Sequence, residues 1–303
     1  MILPTTMPSE GMREALDVLW ARRRADHGVE PAGVDDARAT FEPGGTPHAI
    51  PGDVTVTAVD ADGVDCHWLD APGADPARAL LFLHGGGYQL GSLRSDGELA
   101  SRIGRASGMR VLFPEYRLAP EHPFPAAVDD VRTVWNWLGT RFDARSLAVA
   151  GDSAGGGLAV ALLVATRDDG RTTPAAAVLM SPTVDLTGSG ASMTERVDQD
   201  PISTPALLAR LATDYLAGAD PRTPLASPLF ADLSGLPPLL IQVGTADLLL
   251  SDSERLARAA AAAGVDVTVE IGEGLPHVYQ LLLGTPEAQR ATERVGRFLR
   301  DHA

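Results

Sequence analysis

Three side chains in this sequence have the types and the surroundings that nucleophilic catalysis requires. Ser153 lies in Gly151-Asp-Ser-Ala-Gly155, and Asp247 and His277 each follow a strand-like segment further along the chain. A serine hydroxyl becomes a nucleophile when a neutral imidazole accepts its proton and a carboxylate orients that imidazole. In the chain order Ser, Asp, His, the three residues therefore predict attack on a carbonyl carbon through a covalent intermediate.

The glycines on either side of Ser153 indicate a tight turn from a strand into a helix. The apolar run Leu147–Ala150 precedes the turn, and Leu158 and Leu162 follow it at helical spacing. Such a turn brings the flanking backbone too close for a Cβ atom, which explains the glycines two residues before and after the serine. It leaves the hydroxyl exposed beside the first amides of the helix. Alone, the pattern also fits an ordinary turn, so the other strand ends decide its meaning.

A second glycine-rich stretch, His84-Gly-Gly-Gly-Tyr88, directly follows the apolar run Ala79–Leu83. Three successive glycines let the backbone pass close to a ligand with its N–H groups exposed. Together with the amide of Ala154, these groups predict an oxyanion hole, which stabilises the charge that develops on a carbonyl oxygen. The alternative is a flexible turn, although a turn seldom requires three glycines in a row.

The acid and the base each have rivals in the sequence. Asp247 could be a helix N-cap instead, and Asp252 is the competing acid, although it lies inside the next predicted helix. The remaining histidines lie in peripheral segments, in an early strand or in other motifs, which leaves His277 as the predicted base. Those histidines are His27, His48, His67, His84, His122 and His302.

The elements that must position these residues alternate between apolar strands and helices. Strands that are apolar throughout and separated by helices indicate an α/β protein with a parallel, doubly wound sheet. Such sheets place their reactive groups beyond the carboxyl ends of the strands. A hairpin of Val54–Val59 and Val64–Leu69 precedes this region. The predicted strands are Ala79–His84, Arg110–Pro114, Leu147–Ala150, Ala176–Ser181, Leu239–Gly244 and Val265–Ile271, and the predicted helices are Asp96–Ser107, Pro125–Thr140, Ala154–Arg167 and Ser251–Ala263.

Residues 185–227 separate two predicted strands by far more than the usual short connection. A helix is predicted to begin there at Thr204, with proline at its first position. Leu207, Leu208 and Leu211 form an apolar face on that helix. We therefore expect this segment to lie over the carboxyl edge of the sheet as part of a cap.

The N-terminal region is expected to complete the cap. Ser9–Asp26 reads as an amphipathic helix with an apolar stripe, and Gly44-Gly-Thr-Pro47 predicts a loop after it. The predicted organisation is an N-terminal helical part of the cap at 1–45, a catalytic core at 46–184 and 228–303, and a cap insertion at 185–227.

Composition limits the classes of partner. The chain has 303 residues and a formal net charge of −15 at pH 7, which argues against nucleic acid and anionic membrane surfaces as partners. The single cysteine, Cys66, cannot form an internal disulfide, and neither a signal peptide nor a membrane span is recognised, so a cytoplasmic protein is expected. No metal-ligand spacing and no dinucleotide-binding glycine pattern is found, so neither a metal nor another cofactor is predicted.

Taken together, the motifs resemble those of the hormone-sensitive-lipase-like branch of α/β-hydrolases, the bacterial family IV esterases. The resemblance is carried by His84–Tyr88, Tyr116-Arg-Leu-Ala-Pro-Glu-His-Pro-Phe-Pro-Ala-Ala127, Gly151–Gly156, Asp247 and His277. It covers roughly Pro72 to the C-terminus. It implies an eight-stranded, mostly parallel core sheet flanked by helices, a mainly helical cap, and ester hydrolysis without a cofactor.

The resemblance also implies roles for individual residues. Ser153 would be the nucleophile, Asp247 the acid and His277 the base, and the amides of Gly85, Gly86 and Ala154 would be the oxyanion donors. The proline-rich stretch is expected to be architectural, with a cis bond before Pro120 or Pro125. After the base, Val278 and Tyr279 replace the small residue and the phenylalanine often found in the family, which leaves substrate preference open. The predicted substrate-binding residues are Tyr88, Asp152, Val278, Leu207 and Leu208.

The sequence thus predicts a serine carboxylesterase that hydrolyses short- to medium-chain esters through an acyl-enzyme. A lactonase or an N-acyl deacetylase with the same three residues is the alternative, and a non-catalytic small-molecule receptor on a hydrolase scaffold is a more distant one. The expected partner is a small ester or lactone, and a homodimer formed through an edge strand is a further expectation.

Overall fold

The computed structural model describes residues 8–25, 33–45 and 49–303. Its strands are β1 (Thr55–Asp60), β2 (Asp65–Asp70), β3 (Asp75–Leu83), β4 (Met109–Pro114), β5 (Leu147–Asp152), β6 (Ala176–Met180), β7 (Leu239–Ala246) and β8 (Val267–Pro276). Its helices are α1 (Glu10–Ala25), α2 (Val34–Gly45), α3 (Leu93–Ser107), α4 (Ala126–Gly139), α5 (Ala154–Asp168), α6 (Ser192–Glu195), α7 (Pro205–Leu216), α8 (Leu250–Ala262) and α9 (Pro286–His302).

The strands form one eight-stranded sheet in the order β1-β2-β4-β3-β5-β6-β7-β8. The hairpin β1–β2 is antiparallel and β2 pairs antiparallel with β4, whereas the pairs from β4 to β8 are parallel. The predicted fold, a mostly parallel eight-stranded α/β sheet, is confirmed. The parallel pairing brings the ends of β5, β6, β7 and β8 to one edge of the sheet.

Both faces of the sheet are buried, as continuously apolar strands predict. Along β3, Leu81 and Leu83 join a hydrophobic cluster with residues of α4 and α5. Leu80 and Phe82 join a second cluster on the opposite face, with residues of α3 and α9. Successive side chains of β3 point to opposite faces because a strand has a two-residue period. Burial of both faces fixes the register of the strand in the sheet.

Three of the described helices, α2, α6 and α9, were not predicted from the sequence. The C-terminal helix α9 begins after the N-cap Thr285, whose side chain accepts the N–H of Ala288, and has proline in its first turn. Helix α2 runs to Gly45, so Gly44 and Gly45 belong to a helix and not to the loop predicted there. The rest of that predicted loop, 46–47, lies outside the described residues. Glycines in a last helical turn cost only about 1 kcal/mol each relative to alanine, so they did not end the helix where expected.

The N-terminal helix occurs where it was predicted, although Asp26 lies outside the described residues. Met12 is fully buried against Leu275 and Tyr279, and Leu16 packs at the margin of the same cluster. Ser9 adds a hydrogen bond from its hydroxyl to Glu287 of α9, at 2.8 Å. Helix α1 therefore docks onto the end of the sheet formed by β8, beside the segment that follows this strand.

The long connection 185–227 contains α6 and α7. Helix α7 begins as predicted, because the Thr204 hydroxyl accepts the N–H of Leu207 at 3.0 Å and Pro205 follows. The division into a two-part cap and a core stays a prediction, and part of its 1–45 segment lies outside the described residues. None of the helices within the described ranges combines the length and the apolar character that a membrane span requires.

Candidate active site

Ser153 sits in the tight turn between β5 and α5. Its φ of +51° and ψ of −119° lie in a region that L-residues rarely adopt. A Cβ on Gly151 would collide with the carbonyl of Gly155, and one on Gly155 would collide with the carbonyl of Leu83. Both glycines are therefore required for the turn, which holds the serine hydroxyl clear of the sheet.

The structure brings Ser153, His277 and Asp247 together. The Nε2 atom of His277 lies 2.9 Å from the Oγ atom of Ser153. The Nδ1 atom of the same ring lies 3.1 Å from Oδ2 and 3.2 Å from Oδ1 of Asp247. Because an ionised carboxylate can only accept, the Nδ1 atom carries the proton and Nε2 is free to accept the serine proton. This arrangement is suited to general-base activation of a hydroxyl.

Two opposing influences act on the pKa of His277. Burial lowers it, while the charge and hydrogen bond of Asp247 and the charge of Asp200 raise it, and the net direction is upward. The carboxylate of Asp247 is fully buried. The imidazolium that forms when the serine proton is accepted is therefore stabilised by a nearby negative charge in a site of low polarity.

The competing acid, Asp252, has a different position. Its Oδ2 atom accepts the N–H groups of Val184 and Asp185, each at 3.0 Å. Burial raises its pKa to about 7. Asp252 thus fixes the chain where it leaves β6, while Asp247 is the carboxylate bound to the imidazole.

Two side chains that sequence reasoning missed hold the segments of the acid and the base. The hydroxyl of Ser181, at the end of β6, accepts the N–H of Val278 at 3.1 Å. The carboxylate of Asp200, in the 185–227 connection, accepts the N–H of Leu248 at 3.0 Å. A signal was present for Ser181, which ends a predicted strand next to that of Ser153, whereas Asp200 carried only the weak turn signal of an Asp-Pro pair.

The glycine stretch 85–87 lies against the Ser153 turn. Gly86 and Gly87 have φ values of +102° and +62°, which favour glycine. Their N–H groups donate to no protein acceptor within the ranges that the structure describes. His84 anchors the stretch: it is fully buried between the rings of Phe113 and Tyr116, and burial lowers its pKa to about 4. It is therefore a neutral structural residue at neutral pH.

Gly85 and Asp152 interact with each other. Asp152 is 2% exposed, and burial and the neighbouring Asp96 raise its pKa well above the ordinary value, although the nearby backbone of Asp152 and Gly85 opposes the rise. A Cβ on Gly85 would lie 2.3 Å from Oδ2 of Asp152, so Gly85 packs directly on that carboxyl group. The roles of Gly85 as an oxyanion donor and of Asp152 in substrate binding stay predictions.

The other predicted substrate-binding residues form two groups. Tyr88 is buried, and its ring stacks on that of Tyr215 from α7, with centroids 3.8 Å apart. Val278 is also buried, directly after the base. Leu207 and Leu208 are half-buried on α7. The contact of that helix with the glycine stretch is made by Leu211. A Cβ added to Gly87 would lie 2.6 Å from its Cδ1 atom.

Comparison with known proteins identifies this architecture. A family model described as an α/β-hydrolase fold matches residues 80–281, and this span includes all three residues of the Ser–His–Asp arrangement. The chain belongs to the α/β-hydrolase family. An acetyl-hydrolase of Streptomyces hygroscopicus is 44% identical to the hydrolase over 297 residues, which cover 96% of this chain and 95% of the relative.

More distant relatives agree on the type of reaction. The carboxylesterase/phospholipase LipF of Mycobacterium tuberculosis is 34% identical over 269 residues, which cover 83% of this chain and 70% of the relative. A crystal structure of an esterase from the bacterial hormone-sensitive lipase family superposes with a TM-score of 0.92 at 41% identity, over 98% of this chain and 99% of that one. The resemblance to the hormone-sensitive-lipase-like branch is confirmed, and the hydrolase is a carboxylic-ester hydrolase.

Proposed function

We propose that this hydrolase cleaves short-chain carboxylic esters by a serine acyl-enzyme mechanism. The observation that carries the proposal is the hydrogen-bonded series from Ser153 Oγ through the His277 ring to the buried Asp247 carboxylate. A neutral Nε2 atom at 2.9 Å from the hydroxyl is within reach of the proton that it must accept.

In the first half of the reaction, the Oγ atom of Ser153 bonds to the carbonyl carbon while its proton passes to Nε2 of His277. The carbonyl oxygen becomes an oxyanion. The tetrahedral intermediate then collapses, the ester C–O bond breaks, and the leaving alcohol takes the proton from His277. In the second half, water loses a proton to the same Nε2 atom and attacks the acyl carbon. The bond from that carbon to Oγ of Ser153 then breaks, Oγ takes the proton back from His277, and the carboxylic acid leaves.

For the oxyanion donors we propose the amides of Gly86, Gly87 and Ala154. We choose Gly87 in place of Gly85 because Gly85 lies directly against the buried carboxyl group of Asp152. The Ala154 N–H begins α5, where the helix dipole adds positive potential. Removing one donor of this kind costs about 2.7–4 kcal/mol in transition-state stabilisation. These amides therefore contribute a large part of the rate acceleration.

A short acyl chain is proposed because α7 lies against the glycine stretch. The Leu211 side chain occupies the space beside Gly87, and the stacked rings of Tyr88 and Tyr215 lie between the core and α7. The acetyl-hydrolase relative supports the same choice. The proposed partner is thus a small ester. A cytoplasmic location, the lack of nucleic-acid and membrane partners, and a homodimer stay predictions.

The test compares initial rates on p-nitrophenyl acetate, butyrate and longer esters for the wild type and for Ser153→Ala. We expect wild-type turnover highest on the shortest chains and loss of turnover in Ser153→Ala, with unfolding temperature retained. Ser146→Ala, a half-buried serine before β5, is the matched control and should keep wild-type rates.

Two results would change the proposal. Equal turnover in Ser153→Ala would remove the acyl-enzyme mechanism. Parallel assays with a lactone and an N-acetyl anilide address the alternatives, because a lactonase or a deacetylase with the same nucleophile would turn over one of these faster than any ester in the panel.

A further inference from the structure

A carboxylate in the 185–227 connection forms a hydrogen bond with the backbone directly after Asp247, the proposed catalytic acid. The Oδ2 atom of Asp200 accepts the N–H of Leu248, the residue that directly follows Asp247, at 3.0 Å. Its Oδ1 atom accepts the N–H groups of Ile202 and Ser203, at 2.7 and 2.9 Å. Asp200 is fully buried, so these three N–H groups take the place of water around its carboxylate.

The same stretch is tied on its outer side to the N-terminal helix. The Arg23 guanidinium of α1 donates to the backbone carbonyls of Asp200, Ser203 and Val197, the last two at 2.7 and 3.4 Å. Residues 197–203, here called the Asp200 turn, are therefore held between α1 and the acid segment. This arrangement gives the cap a direct hydrogen-bonded connection to the residue next to Asp247.

The charges around the base come from two elements. Asp247 faces His277 from the segment after β7, and Asp200 faces it from the Asp200 turn. Burial and the Asp247 charge raise the pKa of Asp200, while His277 and the amides of Ser203 and Leu248 lower it, and the net direction is upward. Once the imidazole of His277 carries a proton, its positive charge and the three N–H donors favour the charged form of the Asp200 carboxylate.

We propose that Asp200 is a positioning residue for the reaction. It orients the Asp247 carboxylate through the Leu248 N–H, and its negative charge favours the imidazolium form of His277 that arises during attack. The inference rests on the proposed function, because it takes His277 as the base. It goes further in assigning a role in the chemistry to the cap, since the Asp200 turn belongs to the connection between β6 and β7.

Asp200→Asn tests this role with little change in shape. The substitution replaces one carboxylate oxygen with an NH₂ group. In either orientation of the amide, an N–H then faces an N–H, either that of Leu248 or those of Ile202 and Ser203. Asp198→Asn is the matched control, because it makes the same charge change in the same turn on an exposed side chain.

We expect Asp200→Asn to lower kcat by about 10–100-fold with little change in KM, because misplacing a catalytic group has effects of this size. Loss of the negative charge should also move the acidic limb of the kcat/KM profile to lower pH, by about half a unit or more. Asp198→Asn should match the wild type in both. The downfield ¹H NMR signal of the His277 ring proton, assigned with His277→Ala, should follow the same pH shift without turnover.

Arg23→Gln provides a second variant that leaves the Asp200 charge in place. It should lower kcat less than Asp200→Asn does and leave the acidic limb where it is. The inference is overturned if Asp200→Asn only loses thermal stability and keeps the wild-type kcat and the wild-type acidic limb of the kcat/KM profile. It is equally overturned if Asp198→Asn reproduces the Asp200→Asn profile. Failure of the proposed function looks different, because Ser153→Ala would then retain turnover.

Discussion

The hydroxyl of Ser181 accepts the backbone N–H of Val278 at 3.1 Å, which fixes the residue directly after the base to the end of a neighbouring strand. Val278 has a φ of +44° and Ser181 a φ of +47°, so both ends of this hydrogen bond have backbone conformations that non-glycine residues rarely adopt. Both residues are buried. The bond therefore helps to hold the His277 ring within reach of Ser153.

We predict that Ser181→Ala lowers kcat by about tenfold or more, because the His277 segment loses its anchor. The unpaired, buried N–H of Val278 should also cost about 1–3 kcal/mol of stability. Ser107→Ala is the control: that serine is equally buried and its hydroxyl also makes a hydrogen bond, to Gly104, but it lies at the end of α3. Steady-state kinetics and urea unfolding measure the two effects. If Ser107→Ala lowers kcat as much, general loosening explains the change.

The pH profile should follow protonation of His277. Asp247 raises the pKa of the ring above the usual value of 6.5, so the proton is kept to higher pH and the reactive neutral form appears later. Activity as kcat/KM should therefore rise with pH through a midpoint above that of a free histidine and then level off. A flat profile from about pH 5 to 8 would contradict His277 as the base.

Asp247→Asn should lower kcat by about 10³–10⁴-fold and should move the remaining acidic limb to lower pH, since the partner that raises the ring's pKa is lost. Asp252→Asn, which makes the same substitution in the competing acid, is the matched control. An asparagine oxygen can still accept the N–H groups of Val184 and Asp185. The pH dependence of hydrolysis should therefore stay near that of the wild type. A larger loss in Asp252→Asn than in Asp247→Asn would reverse the assignment of the acid.

Leu211→Ala should broaden the accepted acyl length. The Leu211 side chain lies against Gly87, so its removal opens space next to the proposed oxyanion hole. We expect the ratio of kcat/KM for p-nitrophenyl hexanoate over acetate to rise by about 10-fold, the value of one or two buried methylene groups. Arg210→Ala, exposed on the same helix, should leave the ratio unchanged. An unchanged ratio in Leu211→Ala would place the acyl chain elsewhere.

The sequence was sufficient to predict the sheet and the three residues at its carboxyl edge. Parallel strands bring their ends together whatever the separation along the chain, so Ser153, Asp247 and His277 were recognisable from local context. The contact between Gly85 and Asp152 has a local cause that the sequence does not show. The turn folds the side chain of Asp152 back under the glycine stretch, so that Gly85 lies directly against it.

Other features depend on contacts between distant segments. Ser181 and Asp200 act on N–H groups that lie 97 and 48 residues away, and no spacing rule connects them. Helix α9 was missed although Thr285-Pro286 marks its start, because alanines at 288 and 291 mark a buried face less clearly than leucines do. How far α7 approaches the glycine stretch also required the structure.

The central claim is that Ser153 is the nucleophile that forms the covalent intermediate. Reaction with a p-nitrophenyl alkylphosphonate tests it, because an activated serine oxygen bonds to phosphorus, p-nitrophenolate leaves, and the adduct is stable. Intact mass and peptide mapping should show one adduct per chain, on the peptide that contains Ser153, and none in Ser153→Ala. An adduct on another residue, or continued ester hydrolysis by the fully modified protein, would contradict the mechanism.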